Sequence, residues 1–171
     1  MSTVKQFSNI QEQVSSLSKQ SELTPTTPTT PLKSLITQHF NFGDAPYHIY
    51  GTATIIGDDL ILAIGGSEGP HIGAVAVGTP CTSWTPGKER TATASIICVQ
   101  GHMDDTLARQ GALQLAAALN TTVTVTTGIH LDDASLEDIK ILSNNFNQFI
   151  EQVKTWALSL SLYPTKKKLL I

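Results

Sequence analysis

The chain has 171 residues and a mass of 18.3 kDa, room for one ordinary domain and some tail. A net charge of -3 and a pI near 5.9 leave no basic stripe to neutralise phosphates, which argues against nucleic acid as a main partner. No run of roughly 18 or more apolar residues marks a membrane span, and Cys81 and Cys98 make neither a disulfide framework nor a CxxC site.

The first segment, "MSTVKQFSNIQEQ", has no apolar signal region, so the expected location is the cytoplasm. Residues 1–23 are polar, with Val4, Phe7, Val14 and Leu17 at weakly helical spacing. "TPTTPTTP" (Thr24 to Pro31) favours an extended linker, so residues 1–31 read as a polar leader and linker. The folded domain is expected over 32–162. Residues 163–171, with Lys166, Lys167 and Lys168, read as a basic, solvated tail.

From Tyr47 the pattern is strand-like. "YHIYGTATII" and "LILAIGG" meet at the turn Gly57–Asp59, and "HIGAVAVGTP" is a third strand stopped by Pro80. Pro86-Gly87 marks the turn before a fourth, "TATASIICV". Four strands with short turns predict an antiparallel meander. The period then changes: Ala108, Ala112, Leu115 and Leu119 line one helical face, with Asp104 or Asp105 as N-cap and Asn120 at the end. "TTVTVTTGI" alternates as a half-buried fifth strand. A last helix starts at the capping box "SLED", Ser135 to Asp138, and carries the stripe Ile139, Leu142, Phe146, Phe149, Val153, Ala157 and Leu160. The expected class is α+β, a mainly antiparallel sheet with both helices on one face. The last helix carries Trp156 as well, more apolar surface than a small sheet needs, so a homodimer is expected.

Three stretches at element ends join glycine, histidine and acid: "GGSEGPHIG" with Gly66, His71 and Gly73; "GHMDD" with His102, Asp104 and Asp105; and "GIHLDD" with His130, Asp132 and Asp133. A helix start offers unpaired N–H groups to a phosphate, and glycine lets a ligand approach the main chain. The Asp pairs are equally good helix caps but repel phosphate unless a cation intervenes. They are expected to cap both helices, while the neighbouring glycines and histidines hold a ligand. Arg109, one turn into the first helix, offers a fork to an anion. His71, His102 and His130 are an alternative ligand set for a divalent metal, without HExxH or HxH spacing to support it. Neither a P-loop nor a GxGxxG unit is present, and Ser67 in "GGSEG" reads as a turn serine rather than a nucleophile. Trp84 reads equally as a ligand cover or a local packing residue.

"GPHIGAVAVG" followed by "GHMDDTLARQGALQLAAALNTTVTVTTGIHLDDASLEDI" resembles the LpdD-type prenylated-flavin chaperones over about Tyr47 to Leu142. The resemblance implies a fold similar to proteasome assembly chaperones and a non-catalytic carrier. Such a protein holds prenylated FMN (or FMN), made by a flavin prenyltransferase, and passes it to a UbiD-type aromatic-acid decarboxylase. Gly66, His71, Gly73, His102, Asp104, Asp105, Arg109, His130 and Asp132 are the expected cofactor-binding residues. No catalytic residue is expected. Two other readings compete: a small metal-dependent, hydrolase-like enzyme using the His/Asp cluster, and a purely structural assembly chaperone.

Overall fold

The computed structural model describes residues 35–84, 86–87 and 90–160. The leader, the Thr/Pro linker and the basic tail lie outside the described residues.

The elements are β1 (Ile36–Phe42), β2 (Ile49–Ile56), β3 (Asp59–Ser67), β4 (Ala74–Thr82), β5 (Arg90–Cys98), α1 (Asp105–Leu119), β6 (Val123–His130) and α2 (Leu136–Ser159). The six strands form one sheet in the order β1-β2-β3-β6-β4-β5. All neighbours are antiparallel except β3 and β6, which run parallel from Leu60↔Val123 to Ser67↔His130. The class is therefore α+β with a mostly antiparallel sheet, as the sequence indicates, but it is not a continuous meander. β6 is inserted between β3 and β4, and residues 68–73 bridge the gap it fills. Alternation reveals that "TTVTVTTGI" is a strand; it carries no information about which neighbours that strand pairs with.

β1 has no counterpart in the sequence reading. Gln38 interrupts the alternation of Ile36, Phe40 and Phe42, yet these three apolar side chains are partly buried against the core. Trp156 of α2 packs edge-on against Phe40, with ring centroids 5.5 Å apart. The apolar surplus of the last helix is thus used within the protomer, by β1.

Both helices lie on one face and touch each other. α1 buries the small residues Ala108, Ala112 and Ala116 and approaches β4 closely at Ala112, while Gly111 faces Phe146 and Ile150 of α2 and Val125 of β6. A Cβ on Gly78 would come within 2.4 Å of the Ala112 carbonyl oxygen, so only glycine fits there. Asn120 ends the helix in a left-handed conformation (φ 57). α2 begins at the expected capping box: the Ser135 hydroxyl accepts from the Asp138 amide, and the Asp138 carboxylate accepts from the Ser135 amide. Phe146, Phe149, Ile150 and Val153 are fully buried beneath it. Among the described residues no helix is long and apolar enough to cross a membrane.

The other face of the sheet carries no helix. One row of paired residues across it reads Thr37, Thr54, Ile61, Thr124, Val77, Ser95. The next row contains Ala63, Val75 and Ile97. Neither row contains a carboxylate, ammonium or guanidinium group, and Ile97 is 76% exposed.

Candidate functional site at the ends of the parallel strands

β3 and β6 end side by side and their connections diverge, β3 into residues 68–73 and β6 toward α2. Divergence at the carboxyl ends of parallel strands is where open sheets leave a crevice for ligands. Here the 68–73 loop lies down on β6. The amides of Glu68 and Gly69 both donate to the His130 carbonyl, at 3.0 and 3.3 Å, and the Gly73 amide donates to the Thr127 carbonyl at 2.8 Å. A Cβ on Gly128 would come within 1.8 Å of the His71 carbonyl oxygen. Ser67, expected in a turn, is instead the buried last residue of β3, with φ 59, and its hydroxyl donates to the Pro46 carbonyl at 2.6 Å.

Asp104 stands at the N-cap position of α1, but its side chain makes no cap. β4 pairs with β6 only as far as Ala74↔Thr127, so the Ile129 amide finds no strand partner on that side. Asp104 Oδ1 accepts from that amide at 3.0 Å, and the Thr127 hydroxyl donates to the Asp104 carbonyl at 3.2 Å. The Ile129 amide is partly buried; leaving a buried donor unpaired costs about 1–3 kcal/mol against about 0.5–2 kcal/mol for a lost cap, and the carboxylate is turned inward to the amide. The expectation that the Asp pairs cap both helices is therefore corrected at both sites. α1 starts without a side-chain cap, and Ser135, not Asp132 or Asp133, caps α2.

The glycines also do something other than expected. A Cβ on Gly73 would lie 1.9 Å from Asp104 Oδ2. Its missing side chain is the space the carboxylate occupies, just as Gly128 admits the His71 carbonyl. Gly66 makes room for the His48 carbonyl, 2.8 Å from where its Cβ would be. All three gaps are filled by the chain itself.

Asp104 Oδ2 lies 3.3 Å from His71 Nε2. The other ring nitrogen, Nδ1, is 2.8 Å from the Gly69 carbonyl. A carbonyl only accepts, so Nδ1 carries the hydrogen. The His102 ring lies over His71, with centroids 4.2 Å apart, while His130 meets His71 edge-on at 6.1 Å. His102 is exposed, and His130 turns its Nε2 to Asp132 Oδ1 at 2.8 Å. The structure thus joins His71, His102 and Asp104 in one cluster, with the His130–Asp132 pair at its edge. Asp105 and Arg109 instead line a shallow groove along α1 with Thr106, Gln110, Leu113 and Gln114. Trp84 is 99% exposed, away from any packing role.

Thr127, Gly128 and the Ile129 amide were not singled out from sequence. One signal was available: the inward positions of β6 read Val123, Val125, Thr127, so a hydroxyl replaces the third valine where the strand enters the site. Nearby, the Tyr47 hydroxyl donates to Asp138 Oδ1 at 2.7 Å. Hydrogen bonds from the Ser135 hydroxyl, the Tyr47 hydroxyl and the Ser135 amide hold the Asp138 carboxyl below its ordinary value, against the opposing effect of burial. The bond to Asp138, then burial and the carboxylate charge, push the Tyr47 phenol up.

The one-sided α+β sheet thus gathers His71, His102 and the buried Asp104 at its rim, with His130 beside them. The chain belongs to the prenylated flavin chaperone LpdD-like domain family, whose model matches residues 43–158. The family is one of chaperones, which speaks for a non-catalytic protein that handles a flavin. Among solved structures, the fold is similar to a chain of a chaperone complex for yeast 20S proteasome assembly. That chain is 15% identical, with a TM-score of 0.48 over 75% of this chain and 98% of the other. Comparison with curated proteins gives no match.

Proposed function

We propose that the protein is a cytoplasmic, non-catalytic carrier that binds prenylated FMN made by a flavin prenyltransferase and hands it to a UbiD-type aromatic-acid decarboxylase. Beyond the family, one observation carries this reading: α1 begins without a side-chain cap directly beside His71 and His102. The amides of Asp105, Thr106 and Leu107 form the first turn and suit the cofactor's phosphate. The Asp104 carboxylate, turned inward to Ile129 and His71, does not occupy that turn. His102 and His130 offer ring nitrogens to the phosphate or to the ring carbonyls. Because Gly66, Gly73 and Gly128 leave no room, the cofactor lies over the exposed His102 and Met103 rather than in the glycine gaps. An open seat of this kind suits cargo that an acceptor must reach.

The carrier works as a homodimer through the helix-free face of the sheet. Six strands about 4.8 Å apart and up to about 30 Å long give a face of the order of the ~800 Å² per partner in a standard interface. Two copies meet there without opposing carboxylates, ammonium or guanidinium groups, because the two central rows hold none.

The test is the absorbance spectrum of the full chain, purified without oxygen after co-expression with a flavin prenyltransferase, with His102→Ala alongside. Bound prenylated flavin in the wild type, lost in the variant, is the expected result. A colourless wild type overturns the carrier reading, and a variant as coloured as the wild type moves the site elsewhere.

A further inference from the structure

We propose that His71 Nε2, Asp104 Oδ2 and a ring nitrogen of His102 bind one divalent transition-metal ion of the zinc class. This goes beyond the carrier reading and does not depend on it. The proposal starts from where the ring nitrogens point. The Gly69 carbonyl accepts from His71 Nδ1, which leaves Nε2 facing an Asp104 carboxylate oxygen 3.3 Å away, with the exposed His102 ring beside them.

The geometry suits a metal. Two ligands at about 2.1 Å from a tetrahedral ion stand about 3.4 Å apart, close to the His71–Asp104 separation. One ligand atom from each of the three residues lies within 4.8 Å of the others, so a small rotation of the exposed His102 closes the set. Each inner ligand is also held from behind, as metal sites require. Gly69 fixes the tautomer of His71, and the Ile129 amide orients Asp104 by its other oxygen. Gly73 leaves the space the carboxylate fills. Two imidazoles and one carboxylate favour zinc, cobalt, iron(II) or manganese over magnesium or calcium. His130 is not a ligand here, because its Nε2 is turned to Asp132. The solvent side of His102 leaves a fourth position for water or an anionic group.

The test uses the full chain, stripped with chelator and titrated with Co²⁺ and Zn²⁺ in the absence of flavin. The expected result is one equivalent of Co²⁺ with the intense visible bands of a four-coordinate site, displaced by Zn²⁺. His102→Ala, an exposed change, weakens binding by about 100-fold with an unchanged melting curve. Asp104→Asn, which keeps an acceptor for the Ile129 amide, does the same, while His130→Ala shifts the affinity less than about threefold. Absence of stoichiometric binding overturns the proposal. So does His102→Ala binding like the wild type, or His130→Ala losing the metal to the same extent. A colourless protein in the flavin experiment leaves this result untouched, so the two readings fail separately.

Discussion

Gly73→Ala isolates the inward turn of Asp104. The new methyl would lie 1.9 Å from Oδ2, 2.6 Å from Cγ and 3.0 Å from Cβ of Asp104, so the carboxylate must leave. Overpacking a close-packed site costs about 1–3 kcal/mol. Expelling the carboxylate also strands the Ile129 amide, another ~1–3 kcal/mol. The expected total is about 3 kcal/mol, a fall in melting temperature of the order of 10 °C for a domain of this size. Asp104→Ala alone strands the same amide and costs about 2 kcal/mol. Once Asp104 is truncated, only its Cβ remains near the new methyl, and Gly73→Ala costs under ~1 kcal/mol. The two changes are therefore strongly non-additive, with a coupling of at least ~1.5 kcal/mol in urea unfolding of the four proteins. Gly128→Ala is the contrast. Its methyl would meet the His71 carbonyl oxygen and carbon at 1.8 and 2.4 Å, which is main chain, so Asp104→Ala gives it no relief. If Gly73→Ala and Asp104→Ala add within ~0.5 kcal/mol, the carboxylate does not fill the glycine gap and the account of the site is wrong.

Two further predictions concern the α2 start and the open face. The Asp138 carboxyl is lower in the folded chain, so its stabilising contribution is present above the ordinary 3.8 and is lost as pH falls through the depressed value. The Tyr47 phenol is raised, so its contribution is intact below 10.0 and is lost as pH rises through the raised value. Tyr47→Phe is expected to move Asp138 back up in an NMR titration and to remove the alkaline loss; an unmoved Asp138 refutes the pairing. On the open face, Ile61→Lys with Val77→Lys is expected to halve the mass measured by light scattering while the melting curve is retained. A wild-type monomer, or a variant that stays dimeric, overturns the proposed interface.

The helix boundaries and five of the six strands were legible because each carries its own period: Val123–Val125 in β6, Ala108–Ala112–Leu115 in α1, the Ser135–Asp138 box before α2. β1 was not, because Gln38 breaks its alternation and an edge strand needs apolar residues on only part of one face. The parallel pairing of β3 with β6 was not legible either, since pairing is decided by what each strand buries against, a long-range property. The site was legible in composition and only partly in geometry. His71, His102 and Asp104 converge, but nothing local says that Asp105, the next residue, faces a different groove with Arg109.

The two Gly-His-Asp-Asp stretches look alike on paper and end up doing opposite things, which follows from where each meets the sheet. In the first, Asp104 lies against a strand whose neighbour has stopped pairing, so an orphaned amide draws the carboxylate inward and the helix above it goes uncapped. In the second, Ser135 is positioned to cap α2, so Asp132 stays outside and holds only the exposed His130. The early end of β4 at Ala74 is thus what separates a buried, oriented carboxylate from a solvated one. The same event leaves a helix start bare beside two histidine rings in contact. Pairing two residues further, as far as Ile72 opposite Ile129, would satisfy that amide, release Asp104 to cap α1, and close both the proposed anion seat and the proposed metal cluster at once.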